Sequence, residues 1–184
     1  MDPKMQLALA LVAVVLGVLT LFVLWQVRRT KKLRRRFGPE YERAVEQDGR
    51  GRAEAQLQDR QKRVAAFAVL PLNAGDRERF GVSWRRVQEE FVENPKRAVT
   101  HADDLLADVM SARGFPVTGF DQRAADLSVD HAEVVQHYRA AHDIALRHER
   151  GEAGTEDLRQ AMIHYRGLFD ELVNDKQPAL AKAS

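Results

Sequence analysis

Cysteine is absent from this 184-residue chain, and its absence excludes several kinds of chemistry. Disulfide bonds, thiolate metal sites and cysteine nucleophiles all require a thiol. The absence says nothing about the cellular compartment, because proteins in reducing and in oxidising locations both tolerate it. The location of the protein therefore has to be inferred from membrane topology.

Sustained alternation of β-branched residues is also missing after residue 37, so the sequence predicts no β-sheet there. The motifs that mark common enzymes are missing as well. There is no nucleophile elbow, no phosphate-binding glycine loop and no dinucleotide fingerprint. We therefore predict an all-α protein that is not an enzyme and holds no cofactor.

Positive charge is scarce in the part of the chain that follows Arg36. In that part 21 Lys and Arg residues face 26 Asp and Glu residues, although the whole chain carries a net charge of +2. Nucleic-acid binding depends on clustered cations, which displace counterions from the phosphates. We therefore expect no nucleic-acid partner.

A long uncharged run is present near the amino terminus. The 19 residues from Leu7 to Trp25 carry no charge. As a helix rising about 1.5 Å per residue they would span roughly 28 Å, close to the hydrocarbon thickness of a bilayer. The run is longer than the apolar part of a cleaved signal peptide. The sequence thus predicts one transmembrane helix at residues 5–27, with the lipid bilayer as its partner.

Residues 28–37 form a basic juxtamembrane collar that contains no acid. Because only Lys4 precedes the apolar run, and basic flanks stay in the cytoplasm, the charge bias places the amino terminus outside. The predicted location is the cell inner (plasma) membrane, with the C-terminal domain in the cytoplasm. We expect seven collar residues to contact anionic lipid headgroups: Arg28, Arg29, Lys31, Lys32, Arg34, Arg35 and Arg36.

Ala13 and Gly17 have the small-xxx-small spacing that allows two transmembrane helices to approach closely. Alanine-rich spans also produce this spacing by chance. A homodimer therefore stays open as an alternative to a monomer.

Three segments follow the collar, after Gly38 and Pro39 end the helix that leaves the membrane. Residues 38–69 are charged and poor in apolar side chains, which predicts a loosely packed helical stalk. Residues 70–175 contain amphipathic segments joined by short connections, which predicts a bundle of about four helices. Residues 176–184 are predicted to form a disordered tail.

Capping residues mark the helix starts in the predicted bundle. Asn73, Asn94 and Thr155 are interpreted as N-caps, and Asp130 as a further N-cap with Glu133 as its capping-box partner. The last helix carries the longest apolar stripe, which predicts a central place in the core. The stripe consists of Leu158, Met162, Tyr165, Phe169 and Leu172.

Histidines are frequent in the last third of the chain, but their spacing argues against a metal site. They are His131, His137, His142, His148 and His164. The first four are six, five and six residues apart, whereas metal-binding helices place ligands three or four apart. Across a helical hairpin, His142 and His164 should lie at similar height. We predict no metal site.

Residues 126–131 combine two carboxylates, a hydroxyl and an imidazole, which is a composition suited to acid–base chemistry. Helix capping explains most of this composition. The alternative function is a small helical enzyme or a ligand- or metal-binding bundle that uses Asp130, His131 and His137.

Four stretches resemble a bacterial family of uncharacterised membrane-anchored helical proteins. They are RRFGPEYERAV at 35–45, FVENPKRAVTHADDLLADVMSARGFP at 91–116, DLSVDHAEVVQHYRAAH at 126–142 and EDLRQAMIHYRGLFDEL at 156–172. The resemblance implies a shared helical fold and brings no activity, cofactor or catalytic residue with it. The leading interpretation is a membrane-tethered helical interaction or scaffold module with an unidentified protein partner, since tethering raises local concentration.

Overall fold

The regular elements of this protein are helices throughout the part that the structure describes. The computed structural model describes residues 3–116 and 118–174. Within these ranges the all-α prediction is confirmed, and the predicted tail at 176–184 lies outside them. The helices are α1 (Pro3–Phe37), α2 (Pro39–Asp48), α3 (Arg50–Ala65), α4 (Ala74–Glu93), α5 (Pro95–Ala112), α6 (Phe120–Leu127), α7 (Val134–Glu149) and α8 (Thr155–Asn174).

Helix α1 is long enough and apolar enough to cross a membrane, in its part from Ala13 to Phe37. The side chains from Ala13 to Val27 are all exposed, because no other part of the described chain packs on them. The helix ends where the sequence predicts. Gly38 has a φ of 48°, which an L-residue rarely adopts, and Pro39 opens α2.

Residues 38–69 are not the loosely packed stalk that the sequence predicts. Helices α2 and α3 pack on each other and on the end of α1. The few apolar residues of α2 and α3 are enough to form a core because the collar contributes Leu33 and Phe37 and a distant turn contributes Val129. This small core consists of Leu33, Phe37, Tyr41, Ala44, Ala53, Leu57, Val64 and Val129.

The larger core lies among the helices that follow residue 70. Helix α4 packs on α5, α5 packs on α8, and α7 packs on α8. The apolar stripe predicted for the last helix is buried at all five of its positions. Within this core the ring of Trp84 stacks on Phe169, with centroids 4.8 Å apart. The prediction that the last helix is central to the core is confirmed.

Of the four predicted caps, two are confirmed and two are wrong. The side chains of Asn73 and Asn94 accept hydrogen bonds from the backbone N–H groups three residues on. Thr155 is the first residue of α8, one position later than an N-cap. Helix α7 begins at Val134, so Asp130 does not cap it. The carboxylate of Asp130 binds a cation from α1 instead.

Candidate functional site: a cationic cavity at the end of the apolar helix

Five of the seven collar cations share one face of α1. Their numbers are separated by three, one, three and one, which is the repeat of a single helical face. In the structure the five line one open cavity of about 690 Å³, together with Val129 and Asp130 from the turn between α6 and α7. The five are Arg28, Lys31, Lys32, Arg35 and Arg36.

The opposite face of the collar explains why this face is free. Leu33 and Phe37 are 2% and 0% exposed in the small core. The hydroxyl of Thr30, on the same side, donates to Oε1 of Glu54 at 2.7 Å, and the hydroxyl of Tyr41 donates to the same oxygen at 3.0 Å. These contacts fix the rotation of α1 about its axis, and thereby the direction of the basic face.

Arg36 is held in place on the cavity wall. Its Nη2 donates to Oδ1 of Asp130 at 2.9 Å, and its Nε donates to the carbonyl oxygen of Val129 at 3.1 Å. Charge-assisted hydrogen bonds of this kind are stronger than neutral ones. The turn at 129–130 is therefore attached to the end of α1, and Asp130 is the one carboxylate in the lining.

The other four cations of the face have no carboxylate partner among the described residues. Arg28, Lys31, Lys32 and Arg35 are all exposed. The two collar residues outside the face are engaged elsewhere. The guanidinium of Arg29 lies 5.5 Å from the ring centroid of Trp25, and Arg34 forms an ion pair with Glu42 at 2.6 Å. The collar thus divides into a positively charged face and two residues with other contacts.

A second cavity of about 440 Å³ lies beside the first and shares Arg28 and Lys32 with it. Its remaining lining comes from the end of the apolar segment and from α3: Trp25, Arg29, Leu33, Gln58, Gln61 and Lys62. Lys62 is paired with Asp59 at 3.3 Å. The two cavities together surround the start of the collar.

Two buried carboxylates hold α2 and α3 against the rest of the protein. Glu40 is 1% exposed and accepts from Arg139 at 2.9 and 3.1 Å and from Gln136 at 2.8 Å. Asp126 is 2% exposed and accepts from Arg63 at 2.9 and 2.7 Å. Both carboxylates are satisfied by several donors, as buried charges require. One wall of the first cavity is α1 and the other is the turn between α6 and α7. The two carboxylates connect these walls, because they attach α2 and α3, which pack on α1, to α6 and α7.

The residues of the alternative function are divided between two places. Asp130 and His131 line a cavity of about 310 Å³ that also includes Glu133 and Glu171, but His137 is not part of it. Nδ1 of His131 lies 3.2 Å from Oε1 of Glu171. Asp130 is bound to Arg36. The structure therefore brings two of the three residues together and places the third elsewhere.

His137 lies against α8, where its Nδ1 is 3.0 Å from Nδ1 of His164. The contact between His142 and His164 that their similar height left open is not the one that forms, because His142 faces α6 and stacks on Phe120 at 3.5 Å between centroids. Height along a hairpin does not determine which side of a helix meets its neighbour. Burial lowers the pKa of His164, and the nearby His137 lowers it further. The absence of a metal site stays a prediction.

A polar cluster inside the larger core has no counterpart in the sequence predictions. Arg123 donates to Oδ2 of Asp103 at 2.7 Å and lies 5.9 Å from the ring centroid of Tyr138. Burial raises the pKa of the Tyr138 and Tyr165 phenols, and Asp103 raises it further. Both phenols are therefore neutral at physiological pH. Their place within the core indicates a structural role.

Comparison of the chain with models of protein families, with curated proteins and with solved structures found no match.

Proposed function

We propose that this chain is a single-pass membrane protein whose α1 crosses the inner membrane of a bacterium. The rest of the described chain, residues 38–116 and 118–174, forms a cytoplasmic head, which we treat as a bundle around α4, α5, α7 and α8. The head acts as a tethered interaction or scaffold module for a protein partner. In this proposal the protein has three kinds of partner: the bilayer around α1, anionic lipid heads at the collar, and one protein at the head.

The observation that carries this proposal is the continuity of α1. The helix passes without a break from exposed apolar residues to Leu33 and Phe37, which are buried in the head. Exposed runs of apolar residues of this length are unfavourable in water and favourable in a bilayer. A helix that is buried in the head at one end and exposed at the other supports an anchor that holds the head in a fixed orientation.

The charge distribution supports the proposed orientation. The collar places seven cations after the apolar segment, while Lys4 is the only side-chain cation before it. Basic flanks of a transmembrane helix stay on the cytoplasmic side. The net negative charge after Arg36 also favours a protein partner over a nucleic acid.

The head offers exposed apolar residues at which a partner can be sought. Val92 is 85% exposed at the end of α4, and Leu70 is 61% exposed. Single exposed apolar residues are common on protein surfaces, so these positions serve as probe sites and do not define an interface. The contacts of Asp130 and His137 described above leave the enzyme alternative without a specific supporting observation.

The proposal is tested by a photo-crosslinking amino acid placed at Val92, and separately at Leu70, in living cells. We expect a crosslinked product of one discrete mass in the membrane fraction. A matched probe at the exposed Glu149 controls for random collision. The product should disappear in the variant Leu16→Arg with Leu19→Arg, because each Arg at the centre of the span costs about 2.5 to 3.5 kcal/mol of insertion free energy. A product that forms equally well in the soluble fraction would contradict tethering, and a smear without discrete product at both positions would contradict the interaction role.

A further inference from the structure

We propose that the two adjoining cavities at the end of α1 form one binding site for an anionic lipid whose head carries two phosphate groups. This inference rests on the proposed function, because it requires α1 to lie in a membrane. It goes beyond a general attraction of the collar to lipid heads, since it assigns a stoichiometry, a chemical class and particular residues.

The charge of the lining selects a polyanion. The first cavity has five cations and a single carboxylate, and that carboxylate is already bound to Arg36. The remaining four cations lack an ion-pair partner within residues 3–116 and 118–174. Like charges this close repel one another, so an anion that enters the cavity is stabilised by all of them. A single phosphodiester charge would leave most of this positive charge uncompensated.

The second cavity contains hydrogen-bond donors without acceptors. Nε of Arg29 and Nε2 of Gln61 are shielded from solvent, and no atom of the described residues accepts a hydrogen bond from them. Both residues line the second cavity. Donors that are buried without an acceptor cost free energy, and buried polar groups in native proteins are nearly always paired. For a phosphate oxygen in this cavity to accept from both, the side chains of Arg29 and Gln61 have to rotate towards it, since neither nitrogen is accessible in the unliganded arrangement.

The position of the cavities fits a lipid head. At about 1.5 Å per residue, Arg28 lies about 4.5 Å and Arg36 about 16.5 Å beyond Trp25 along the helix. Trp25 belongs to the interfacial ring of a membrane helix. The headgroup layer beyond the hydrocarbon is about 5 to 7 Å thick. Arg28 therefore lies at the depth of the phosphates, and the rest of the first cavity, from Lys31 at about 9 Å onwards, extends towards the cytoplasm.

The shared wall accounts for the number of phosphates. Arg28 and Lys32 line both cavities, so two phosphates joined by a short linker can occupy one cavity each and contact these two residues together. Linking the two groups makes the second contact intramolecular, which strengthens binding without any new residue. Basic pockets beside membrane helices on the cytoplasmic side are a known setting for such heads.

The collar itself supplies a matched control. Lys32→Gln and Arg34→Gln each remove one positive charge, two residues apart. Lys32 lines both cavities, whereas Arg34 lines neither and pairs with Glu42 at the surface. General attraction to an anionic surface would weaken equally in both variants. Binding in the two cavities would weaken much more in Lys32→Gln.

The test is native mass spectrometry of the full chain in detergent, with diphosphatidylglycerol offered against twice the molar amount of phosphatidylglycerol. We expect one diphosphatidylglycerol per chain and a preference of at least about tenfold over phosphatidylglycerol. Lys32→Gln should lower this affinity about tenfold or more, as the loss of one charge-assisted contact does, and Arg34→Gln should change it less than about twofold. Arg28→Gln, at the other shared position, should behave like Lys32→Gln.

Three outcomes would overturn the inference. Equal losses in Lys32→Gln and Arg34→Gln would mean attraction by total charge alone. No preference for the two-phosphate lipid would remove the assigned class. Free pyrophosphate that binds as tightly as the lipid would make the site one for a soluble diphosphate. None of these outcomes would affect the proposed anchor, which is tested separately by the topology of the chain.

Discussion

Phe169→Ala is expected to lower the free energy of unfolding of the head by about 3 to 5 kcal/mol. Phe169 is 4% exposed in the larger core and stacks on Trp84 with an interplanar angle of 17°. The substitution removes a large apolar side chain from a packed interior and leaves a cavity. A typical domain has only about 5 to 15 kcal/mol of stability, so the loss should be easy to measure.

The measurement is denaturant unfolding of the full chain in detergent, followed by tryptophan fluorescence in a Trp25→Phe background. The chain has two tryptophans, so Trp84 then reports on the core alone. Arg159→Ala is the control in the same helix. Arg159 is exposed and lowers the pKa of Glu156 to about 2 through its hydrogen bonds. Exposed ion pairs contribute little to stability, so we expect Arg159→Ala to unfold close to the wild-type midpoint. Equal stability of the two variants would mean that the stripe of α8 is not core.

Arg139→Met is expected to destabilise the packing of α2 and α3 on α7 by about 3 to 5 kcal/mol. The side chains of Arg139 and Glu40 are 14% and 2% exposed. Without the guanidinium, the Glu40 carboxylate would stay buried with Gln136 as its nearest donor at 2.8 Å and Arg60, 3.7 Å away, as its remaining cation. Arg60 lies beyond hydrogen-bond distance of the carboxylate, so the buried charge of Glu40 would be poorly compensated, whereas removing both charges costs much less. The double variant Glu40→Leu with Arg139→Leu should therefore recover most of the loss.

The second prediction is measured by denaturant unfolding and by the rate of tryptic cleavage in α3, whose five basic residues are the same in every variant. Arg43→Met is the control, because Arg43 is also in this region but is exposed. We expect faster cleavage and lower stability in Arg139→Met, and values near wild type in Arg43→Met. If the two single variants lose the same stability, or the double variant is as unstable as Arg139→Met, the buried ion pair does not hold these helices together.

Local patterns in the sequence were sufficient for the elements whose determinants are close in the chain. The caps at Asn73 and Asn94 each act on a backbone N–H three residues on. The stripe of α8 repeats at threes and fours, and all of its positions are buried. Such features require only the helical period and the hydrogen-bonding groups of a helix start.

Predictions failed where the decisive partner is far away in the chain. Asp130 binds Arg36, which lies 94 residues earlier. Nothing in the sequence near Asp130 indicates this contact, so Asp130 is interpreted as a helix cap from the sequence alone. Glu40 meets Arg139 across 99 residues, and with Leu33 and Phe37 it changes the expected stalk into a packed unit. No single-sequence pattern reports contacts of this kind.

One part of the candidate site could have been found from the sequence. Arg28, Lys31, Lys32, Arg35 and Arg36 follow the repeat of one helical face, while Leu33 and Phe37 lie four residues apart on another. The sequence prediction considers only the total charge of the collar, and the total charge does not distinguish the basic face from the apolar one. The shielded donors of Arg29 and Gln61 could not have been found in this way, because burial depends on the tertiary fold.

The topology of the chain tests the central claim, that α1 spans a membrane and holds the head on its cytoplasmic side. The natural chain has no cysteine, so a single introduced thiol can be labelled without background. Pro3→Cys precedes the span, and Glu93→Cys lies at the exposed end of α4. With a membrane-impermeant maleimide that reaches the outer face of the inner membrane, we expect Pro3→Cys to react in intact cells and Glu93→Cys to react only after the membrane is opened. Reaction of Glu93→Cys in intact cells, or protection of both positions until the membrane is opened, would contradict the account.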